Sequence, residues 1–361
     1  MSITQLGLTG TPSKQYSVSP KRAATTVTKS IGTSSRDYST ITAWEADLDN
    51  TLVYVSGDDA VGECYNDSTF NEGVTINGGG TVGLSSITLT VADGEKHDGT
   101  AGTGVELDLS SWVGLQIYRT TMDCIIEWLE VTSSVSSSEQ TAIQVEQDSS
   151  TIISGLKNMI IHDAQTSSNA GRIIRDDGSL GHMFNIIAYN LYSSGNSLTV
   201  FYDPSNRANY YYNVTIHNCG TISPGGAGNS IGIVARSATR IKNTLCTDML
   251  TAGAGSATSW GTSGTEYVTN ATTDTAGDIT GVVAADTYVS TVGGAEDLHL
   301  KAGSDAIGAG TDLGTTPNGV QYDIDGRDRD AEGDTWSIGA DQFVQIISSS
   351  SSGKNFFIFF Y

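Results

Sequence analysis

The sequence predicts an all-β fold in which short strands wind into a parallel β-helix, and two observations lead to this class. Strand-forming triplets return with steps of 30, 27, 28 and 30 residues, and they begin at Leu129, Met159, Ile186, Val214 and Thr244. A period in this range is typical of repeat architectures. The composition agrees, because 42 Gly residues and only 16% charged residues suit a solenoid with many tight turns.

Each triplet is too short for a helix and is bounded by turn residues, which predicts a strand. Asn precedes the last four triplets, and Asn or Asp stands two residues after each of them. These residue types tolerate left-handed backbone geometry and bond to nearby backbone groups, so we expect them to stack in ladders at sharp turns. The predicted ladder residues are Asn158, Asn185, Asn213 and Asn243 before the triplets, and Asp163, Asn190, Asn218 and Asp248 after them.

The middle residues of the triplets predict an apolar stripe on the outside of the solenoid. First and third residues share one face of a strand, and here they are apolar or small, as an interior face requires. The middle residues therefore point outward, and they include Ile160, Ile187 and Leu245. A contiguous apolar stripe marks a contact surface. Either three copies associate laterally as a homotrimer, or a loop of the same chain covers the stripe.

Residues 36–50 are predicted to form a short N-terminal capping helix. Ile41, Trp44 and Leu48 lie on one helical face, and a preceding Ser or Thr can cap the helix. A solenoid needs its first coil covered, because an open edge invites aggregation. The other predicted regions are an extended arm over 1–35, the β-helix over 51–295, a closing segment over 296–345, and a serine linker with an aromatic tail over 346–361.

The aromatic tail is predicted to be an attachment or assembly element. It follows a run of serines and a glycine, so the last coil does not dictate its position. A rival interpretation is that it folds back over the last coil as a cap. The candidate contact residues are Phe356, Phe357, Phe359, Phe360 and Tyr361.

The formal net charge of −22 excludes several kinds of partner. Nucleic acids and anionic membranes both need clustered Lys and Arg, so neither is expected as a ligand. An acidic polysaccharide is also a poor ligand for so acidic a chain, unless a cation bridges the two. The N-terminus has no basic stretch followed by an apolar run, so no secretory signal is expected, and the apolar tail is too short to insert across a membrane.

Candidate catalytic residues are few. A glycosidase needs two carboxyl groups about 5–10 Å apart across the scissile bond. Asp176 and Asp203 could be that close if their turns stack, and Asp177 lies beside the first. The sequence favours solvated turn residues here over catalysis, which remains the alternative.

His162, Tyr189 and His217 occupy equivalent positions in three successive copies of the repeat. We therefore expect them to stack in an exposed column. Such a column is either a simple surface ladder or a non-catalytic carbohydrate-binding site.

The stretch Asp323-x-Asp325-Gly326 matches the beginning of a calcium loop. The remaining ligands of such a loop do not follow, because Asp334 stands where the closing Glu would be needed. Arg327 and Arg329 are expected to form structural ion pairs with the nearby carboxylates. We therefore expect no cofactor and no metal, with structural Ca²⁺ as the alternative.

Two stretches resemble known protein families. Gln5-Leu6-Gly7-Leu8-Thr9-Gly10-Thr11-Pro12, with Tyr16 and Pro20-Lys21 following, resembles the N-terminal leaders of structural proteins of tailed bacteriophages. The segment from Asp297 to Phe343, with Asp323-Ile324-Asp325-Gly326-Arg327 and Ile338-Gly339-Ala340-Asp341, resembles the closing segment of bacterial and phage right-handed parallel β-helix proteins. The second resemblance implies a right-handed solenoid and its chain end, and the first implies a virion anchor in residues 1–35.

Together these features predict a structural protein of a tailed bacteriophage virion, assembled in the host cytoplasm. It would be a fibre, spike or capsid-decoration component whose partners are other virion proteins and, as a further candidate, host-surface polysaccharide. One alternative is a tailspike-like depolymerase acting as a glycoside hydrolase or lyase. A third interpretation is a bacterial surface adhesin.

Overall fold

The computed structural model describes residues 22–344, except for 110–113, 134–140, 179, 206–207, 223–228, 237–239, 251–256, 264–266, 274–278, 280 and 331–334. Most of the predicted arm and the whole of the serine linker and aromatic tail therefore lie outside the described residues. In the part that is described, no helix is long and apolar enough to span a membrane.

The regular secondary structure of the described chain consists almost entirely of strands. The elements are β1 (Thr26–Ile31), α1 (Ile41–Ala46), β2 (Asp59–Cys64), β3 (Phe70–Asn71), β4 (Val74–Ile76), β5 (Ser86–Val91), β6 (Val105–Asp108), β7 (Leu115–Tyr118), β8 (Asp123–Glu127), β9 (Leu129–Thr132), β10 (Thr141–Glu146), β11 (Ser154–Thr166), β12 (Gly171–Asp176), β13 (Gly181–Ser193), β14 (Leu198–Tyr202), β15 (Tyr210–His217), β16 (Gly220–Thr221), β17 (Ser230–Arg236), β18 (Arg240–Thr247), β19 (Ala257–Ser263), β20 (Tyr267–Thr273), α2 (Ala284–Thr287), β21 (Tyr288–Val292) and β22 (Ala295–Leu300).

These strands form the predicted parallel β-helix. One sheet runs in the order β1-β2-β5-β8-β11-β13-β15-β18-β20, and the second runs β4-β7-β10-β12-β14-β17-β19. All pairings within both sheets are parallel, whereas β21 and β22 form a small antiparallel hairpin. The repeat sets the register directly, because Ile160 pairs with Ile187, Ile187 with Thr215, and Thr215 with Leu245.

The Asn residues before the triplets lie at a left-handed corner of each coil. Asn158, Asn185, Asn213 and Asn243 have φ between 49° and 55°. Their amides stack as a ladder, in which Asn213 Nδ2 donates to Asn185 Oδ1 at 3.0 Å and Asn243 Nδ2 donates to Asn213 Oδ1 at 3.1 Å. The residues after the triplets form a second corner with φ of 49–52°, and there Asn218 Nδ2 donates to Asn190 Oδ1 at 2.7 Å.

The core fills the interior of the coil. The first and third residues of the triplets are buried there, as the period-2 pattern predicts. At the N-terminal end, α1 packs against β1, β2 and β4, and Trp44 is fully buried with its Nε1 donating to Tyr54 Oη at 3.0 Å. Thr40 caps this helix through a bond from Ala43 N.

The segment after residue 281 runs along the side of the solenoid. Its backbone accepts hydrogen bonds from the Asn ladder, from Asn158 Nδ2 to Asp323 O at 2.7 Å and from Asn213 Nδ2 to Val320 O at 2.9 Å. Farther along, Ala340 N donates to Thr215 Oγ1 at 2.9 Å. The C-terminal segment, residues 281–344, thus spans several coils, and this placement determines which outer faces are accessible.

Candidate functional sites on the outer faces

The predicted apolar stripe is covered by the chain itself. Ile160, Ile187 and Leu245 are buried in one cluster with residues of the C-terminal segment, including Ile324 and Ile338. Of the two alternatives, the structure therefore supports contact within the chain. Ile160, Ile187 and Leu245 are at most 1% exposed, so this stripe offers no surface to a second copy, and a homotrimer through another surface stays a prediction.

The column of His162, Tyr189 and His217 forms as predicted in register but is not exposed. His162 pairs with Tyr189 and Tyr189 with His217, and the first two rings stack at 4.9 Å with an angle of 4°. The three residues are only 7%, 3% and 3% exposed. The β21–β22 hairpin lies over them, with the Tyr288 ring 5.5 Å from that of His217. The column therefore presents no surface to a carbohydrate.

His162 is held between two carboxylates. Its Nε2 lies 2.8 Å from Glu130 Oε1, and its Nδ1 lies 2.8 Å from Asp163 Oδ2. Burial lowers the pKa of His162, but the hydrogen bonds with Asp163 and Glu130 outweigh it and raise the pKa to about 9. For His217, burial prevails over the charge of Asp248, and the pKa is lowered. The two histidines of one column therefore favour opposite protonation states.

Two of the three candidate catalytic carboxylates, Asp176 and Asp203, lie inside the solenoid, whereas Asp177 is partly exposed. The residues just before Asp176 and Asp203, Arg175 and Tyr202, are paired, so these two carboxylates occupy neighbouring coils as the spacing suggested. Both are fully buried, however, which corrects the expectation of solvated turn residues. Each accepts a bond from a backbone N–H two residues later, as in an Asx turn.

The surroundings of Asp176 disfavour the charged form of its carboxyl group. Burial, together with the charge of Asp203, raises the pKa of Asp176 well above its ordinary value. Tyr211 Oη donates to Asp176 Oδ2 at 3.2 Å. Raised carboxyl pKa values are common in active sites, but a catalytic acid must reach its substrate. Asp177 is the accessible neighbour, and it pairs with Arg175 at 2.6 Å.

A different outer face carries aromatic and cationic side chains. Three successive strands pair His182 with Tyr210 and Tyr210 with Arg240, and the next outward positions pair Phe184 with Tyr212 and Tyr212 with Lys242. The Phe184 and Tyr212 rings stack at 5.7 Å, and the Arg240 guanidinium lies 5.3 Å from the Tyr210 ring centre. We call these six residues the aromatic–cationic face.

A cleft of about 260 Å³ lies between this face and the C-terminal segment. Its walls are Tyr210, Tyr212, Arg240, Lys242, Asp312, Leu313, Thr316 and Pro317. Sequence reasoning missed this face, although a signal was present. The residues one and three positions before each ladder Asn lie outside the coil interior, as in Tyr210-Tyr211-Tyr212-Asn213, where Tyr211 belongs to the interior core and Tyr212 packs outside it with Phe184 and Val320.

A second polar cluster lies where the C-terminal segment meets the loop of residues 97–104. His299 Nδ1 is 2.5 Å from Asp297 Oδ1, and His299 Nε2 is 2.9 Å from Asp325 Oδ1. The expected ion pair between Arg327 and Asp325 is present at 2.5 Å. The expectation for Arg329 is corrected, because its fully buried guanidinium donates to backbone carbonyls, including Gly339 O at 3.1 Å and Ala340 O at 2.6 Å.

These observations define a parallel β-helix protein whose own C-terminal segment covers one outer face and borders a cleft on the next. Comparison with family models, with curated proteins and with solved structures gives no match to this chain.

Proposed function

We propose that this protein is a non-catalytic structural component of a tailed bacteriophage virion. The observation that carries the non-catalytic part is the position of Asp176 and Asp203, which are buried in the interior of the coil and out of reach of a polysaccharide. The virion part rests on the two sequence resemblances. A continuous solenoid reinforced by a polar ladder and by a segment running along its side suits a rigid particle component.

Particle fractionation tests this role. Antibodies raised against the purified chain should detect it in phage particles banded on a density gradient, at a constant ratio to the major capsid protein. A known non-structural phage protein serves as the control for adhering lysate. Recovery of the chain only from the soluble lysate, with none in the banded particles, would overturn the proposal.

The depolymerase alternative makes a different prediction. A glycoside hydrolase or lyase would release reducing ends or unsaturated sugars from host capsule, and Asp176→Asn or Asp203→Asn would abolish that release. We expect no release from the wild-type chain. Activity that disappears in these variants would establish the enzyme in place of the structural protein.

Contact with host-surface glycans is a second candidate function, favoured by the aromatic–cationic face. The exposed or partly exposed members of this face are Tyr210, Arg240 and Lys242, whereas His182, Phe184 and Tyr212 are at most 6% exposed. A tyrosine ring can pack against a sugar ring, and Arg and Lys pair with carboxylate or sulfate groups on acidic glycans. The whole chain is strongly acidic, but Arg240 and Lys242 line this cleft against a single acidic wall residue, Asp312. The local charge therefore permits an acidic polysaccharide that the net charge disfavours.

A matched pair of arginine variants tests this contact. Arg240→Gln should weaken binding to an acidic capsular polysaccharide by about tenfold, the loss expected for one charge-assisted contact of about 1.5 kcal/mol. Arg172→Gln is the control, because Arg172 also lies over a tyrosine, 3.9 Å from the Tyr202 ring centre, but on the other sheet. Equal binding by the wild type and both variants would exclude this face as the contact.

A further inference from the structure

We propose that His299, Asp325 and Asp341 bind one divalent transition-metal cation of the Zn²⁺ class. One ligand atom from each of these three residues lies within 4.8 Å of the others. They come from β22 and from two later turns of the C-terminal segment, so the cation would join parts of the chain that are 16 or more residues apart. The site is independent of the proposed virion role.

One oxygen of the buried Asp341 carboxylate supports a bound cation, because it has no hydrogen-bond partner. Asp341 is 4% exposed, and its Oδ2 accepts a bond from Leu300 N at 2.7 Å. Its Oδ1 is buried and has no hydrogen-bond partner. A buried charged oxygen left unsatisfied is strongly destabilising, so native proteins pair such groups or use them to coordinate metals. The nearby Arg329 does not fill this role, since its bonds go to backbone carbonyls and to Gln342.

The orientation of His299 fits a metal ligand. A metal-ligating histidine almost always donates its other ring N–H to a carboxylate or carbonyl. His299 has this arrangement, with Nδ1 2.5 Å from Asp297 Oδ1 and Nε2 directed at Asp325 Oδ1. The 2.9 Å between Nε2 and Oδ1 is close to the spacing of two ligands of one cation, because atoms about 2.1 Å from a shared Zn²⁺ lie about 3.0–3.4 Å apart.

The open volume beside Gly99 and the excess of carboxylates in the cluster both suit a bound cation. Gly99 faces the cluster, and a Cβ there would lie 2.4 Å from His299 Nε2 and 2.7 Å from Asp325 Oδ1, so only glycine leaves this volume open. Four carboxylates, Asp297, Asp323, Asp325 and Asp341, stand beside two guanidinium groups, those of Arg327 and Arg329. With His299 neutral, as a metal ligand must be, a divalent cation would balance the two remaining negative charges.

The ligand set selects the class of metal. One imidazole nitrogen and carboxylate oxygens suit Zn²⁺, Mn²⁺ or Co²⁺, whereas Ca²⁺ and Mg²⁺ prefer oxygen ligands alone. The site therefore shares Asp325 with the calcium loop considered from the sequence but differs from it in its other ligands and in its metal. A bound cation would fasten the C-terminal segment beside the loop of residues 97–104.

Metal analysis of the full chain tests the proposal. After treatment with EDTA and dialysis, the chain should take up one Zn²⁺ per molecule, measured by calorimetry and elemental analysis, and should melt at a higher temperature with Zn²⁺ than with equal Ca²⁺. His299→Gln and Asp341→Asn should each weaken Zn²⁺ binding at least a hundredfold. Asp297→Asn removes the positioning carboxylate and should weaken it about 10- to 100-fold.

His162→Gln is the matched control, because His162 also lies between two carboxylates but belongs to no such group of ligands. It should bind Zn²⁺ like the wild type. If the ligand variants do not fold, Co²⁺ added to the wild type decides: one equivalent should give visible absorption bands and shift the imidazole proton resonances of one histidine. Absence of Zn²⁺ and Co²⁺ binding, unchanged binding in His299→Gln and Asp341→Asn, or preference for Ca²⁺ would overturn the proposal.

Discussion

At the scale of single residues, the Asn ladder does two things at once. Each Asn before a triplet adopts the left-handed conformation that turns the coil, and its side chain bonds a neighbouring coil and the C-terminal segment, as Asn213 does. The turn could be predicted from the sequence, since Asn and Asp are the residue types that tolerate this geometry. The bond to the C-terminal segment could not, because nothing local in the repeat indicates what lies outside it.

We expect Asn213→Leu to be among the most damaging single changes in the solenoid. It removes three bonds, to Asn185 Oδ1, to Val320 O and from Asn243 Nδ2, and places a branched side chain at a φ of 55°. Unsatisfied partners cost about 1–3 kcal/mol and the backbone conformation a further 1–2 kcal/mol or so. Urea unfolding should show a loss of about 2–5 kcal/mol, against almost none for Asn66→Leu, an exposed control. Equal losses in the two variants would contradict the ladder's role.

Asp176→Asn should stabilise the chain at pH 8. The raised pKa of Asp176 means that the folded state favours the protonated carboxyl, so its contribution is present at low pH and is lost as pH rises. Asn keeps an acceptor for Gly178 N and needs no proton. We expect the Tm to rise by about 1–3 °C at pH 8 and to change little at pH 4.

The accessible neighbour provides the control for that variant. Asp177→Asn breaks an outer pair with Arg175 and should shift the Tm by less than Asp176→Asn. A lower Tm for Asp176→Asn at pH 8 would show that the charged carboxylate is stabilising in the core, contrary to the prediction.

At the scale of elements, the repeat period predicted the stacking of strands but not their lengths. The triplets were expected to be separate short strands, yet β11 and β13 each run for 13 residues through two corners. A single left-handed residue bends the chain without ending the hydrogen bonding to the next coil, so strand pairing continues on both sides. The hairpin β21–β22 packs on the column of His162, Tyr189 and His217 at its His217 end. This column was expected to be exposed, and its three side chains are buried.

The two histidines beneath this hairpin should give opposite pH effects. The pKa of His162 is raised to about 9, above the unfolded value of about 6.5, so its stabilising contribution is complete below pH 6.5 and is lost as pH rises to 9. His162→Gln should therefore destabilise the chain at pH 6 and much less at pH 9.5. His217 has a lowered pKa, so its neutral form favours folding above pH 6.5 and the advantage fades as pH falls.

Urea unfolding of both variants across pH 5–9.5 tests this contrast. The free-energy difference from the wild type should shrink with rising pH for His162→Gln and grow with rising pH for His217→Gln. Parallel trends for the two variants would show that their environments are not distinct in the way the contacts with Glu130, Asp163 and Asp248 indicate.

At the scale of the whole molecule, contacts between distant parts of the chain decide which faces of the solenoid are covered. The fold class followed from local periodicity, whereas the apolar stripe and His217 are covered by the C-terminal segment, which bonds to coils up to 165 residues earlier in the chain. The error about Asp176 and Asp203 has a different cause, because these side chains are buried inside the coil. The hydrogen bonds of the C-terminal segment, such as the one from Ala340 N to Thr215 Oγ1, do not recur with the repeat, so the sequence pattern does not indicate them. The same covering created the cleft at Tyr210 and the cluster at His299, which sequence reasoning did not find.

The aromatic tail gives the whole-molecule prediction. Its six consecutive apolar residues include five aromatic ones, and burying one such side chain is worth about 1.5–3 kcal/mol. Docking of an extended segment onto the sheet edge of a partner would use that energy, offset by the cost of ordering the linker. The described C-terminal segment already buries Ile160, Ile187 and Leu245 without residues 346–361.

Deleting 346–361 should therefore leave the Tm unchanged while the truncated chain no longer joins the banded particle. Differential scanning calorimetry measures the Tm, and immunoblotting of gradient fractions measures the association with the particle. A chain that keeps Phe356–Tyr361 but lacks 346–351 is the control, and it should still join. Early melting of the 346–361 deletion would instead establish the tail as a cap on its own solenoid.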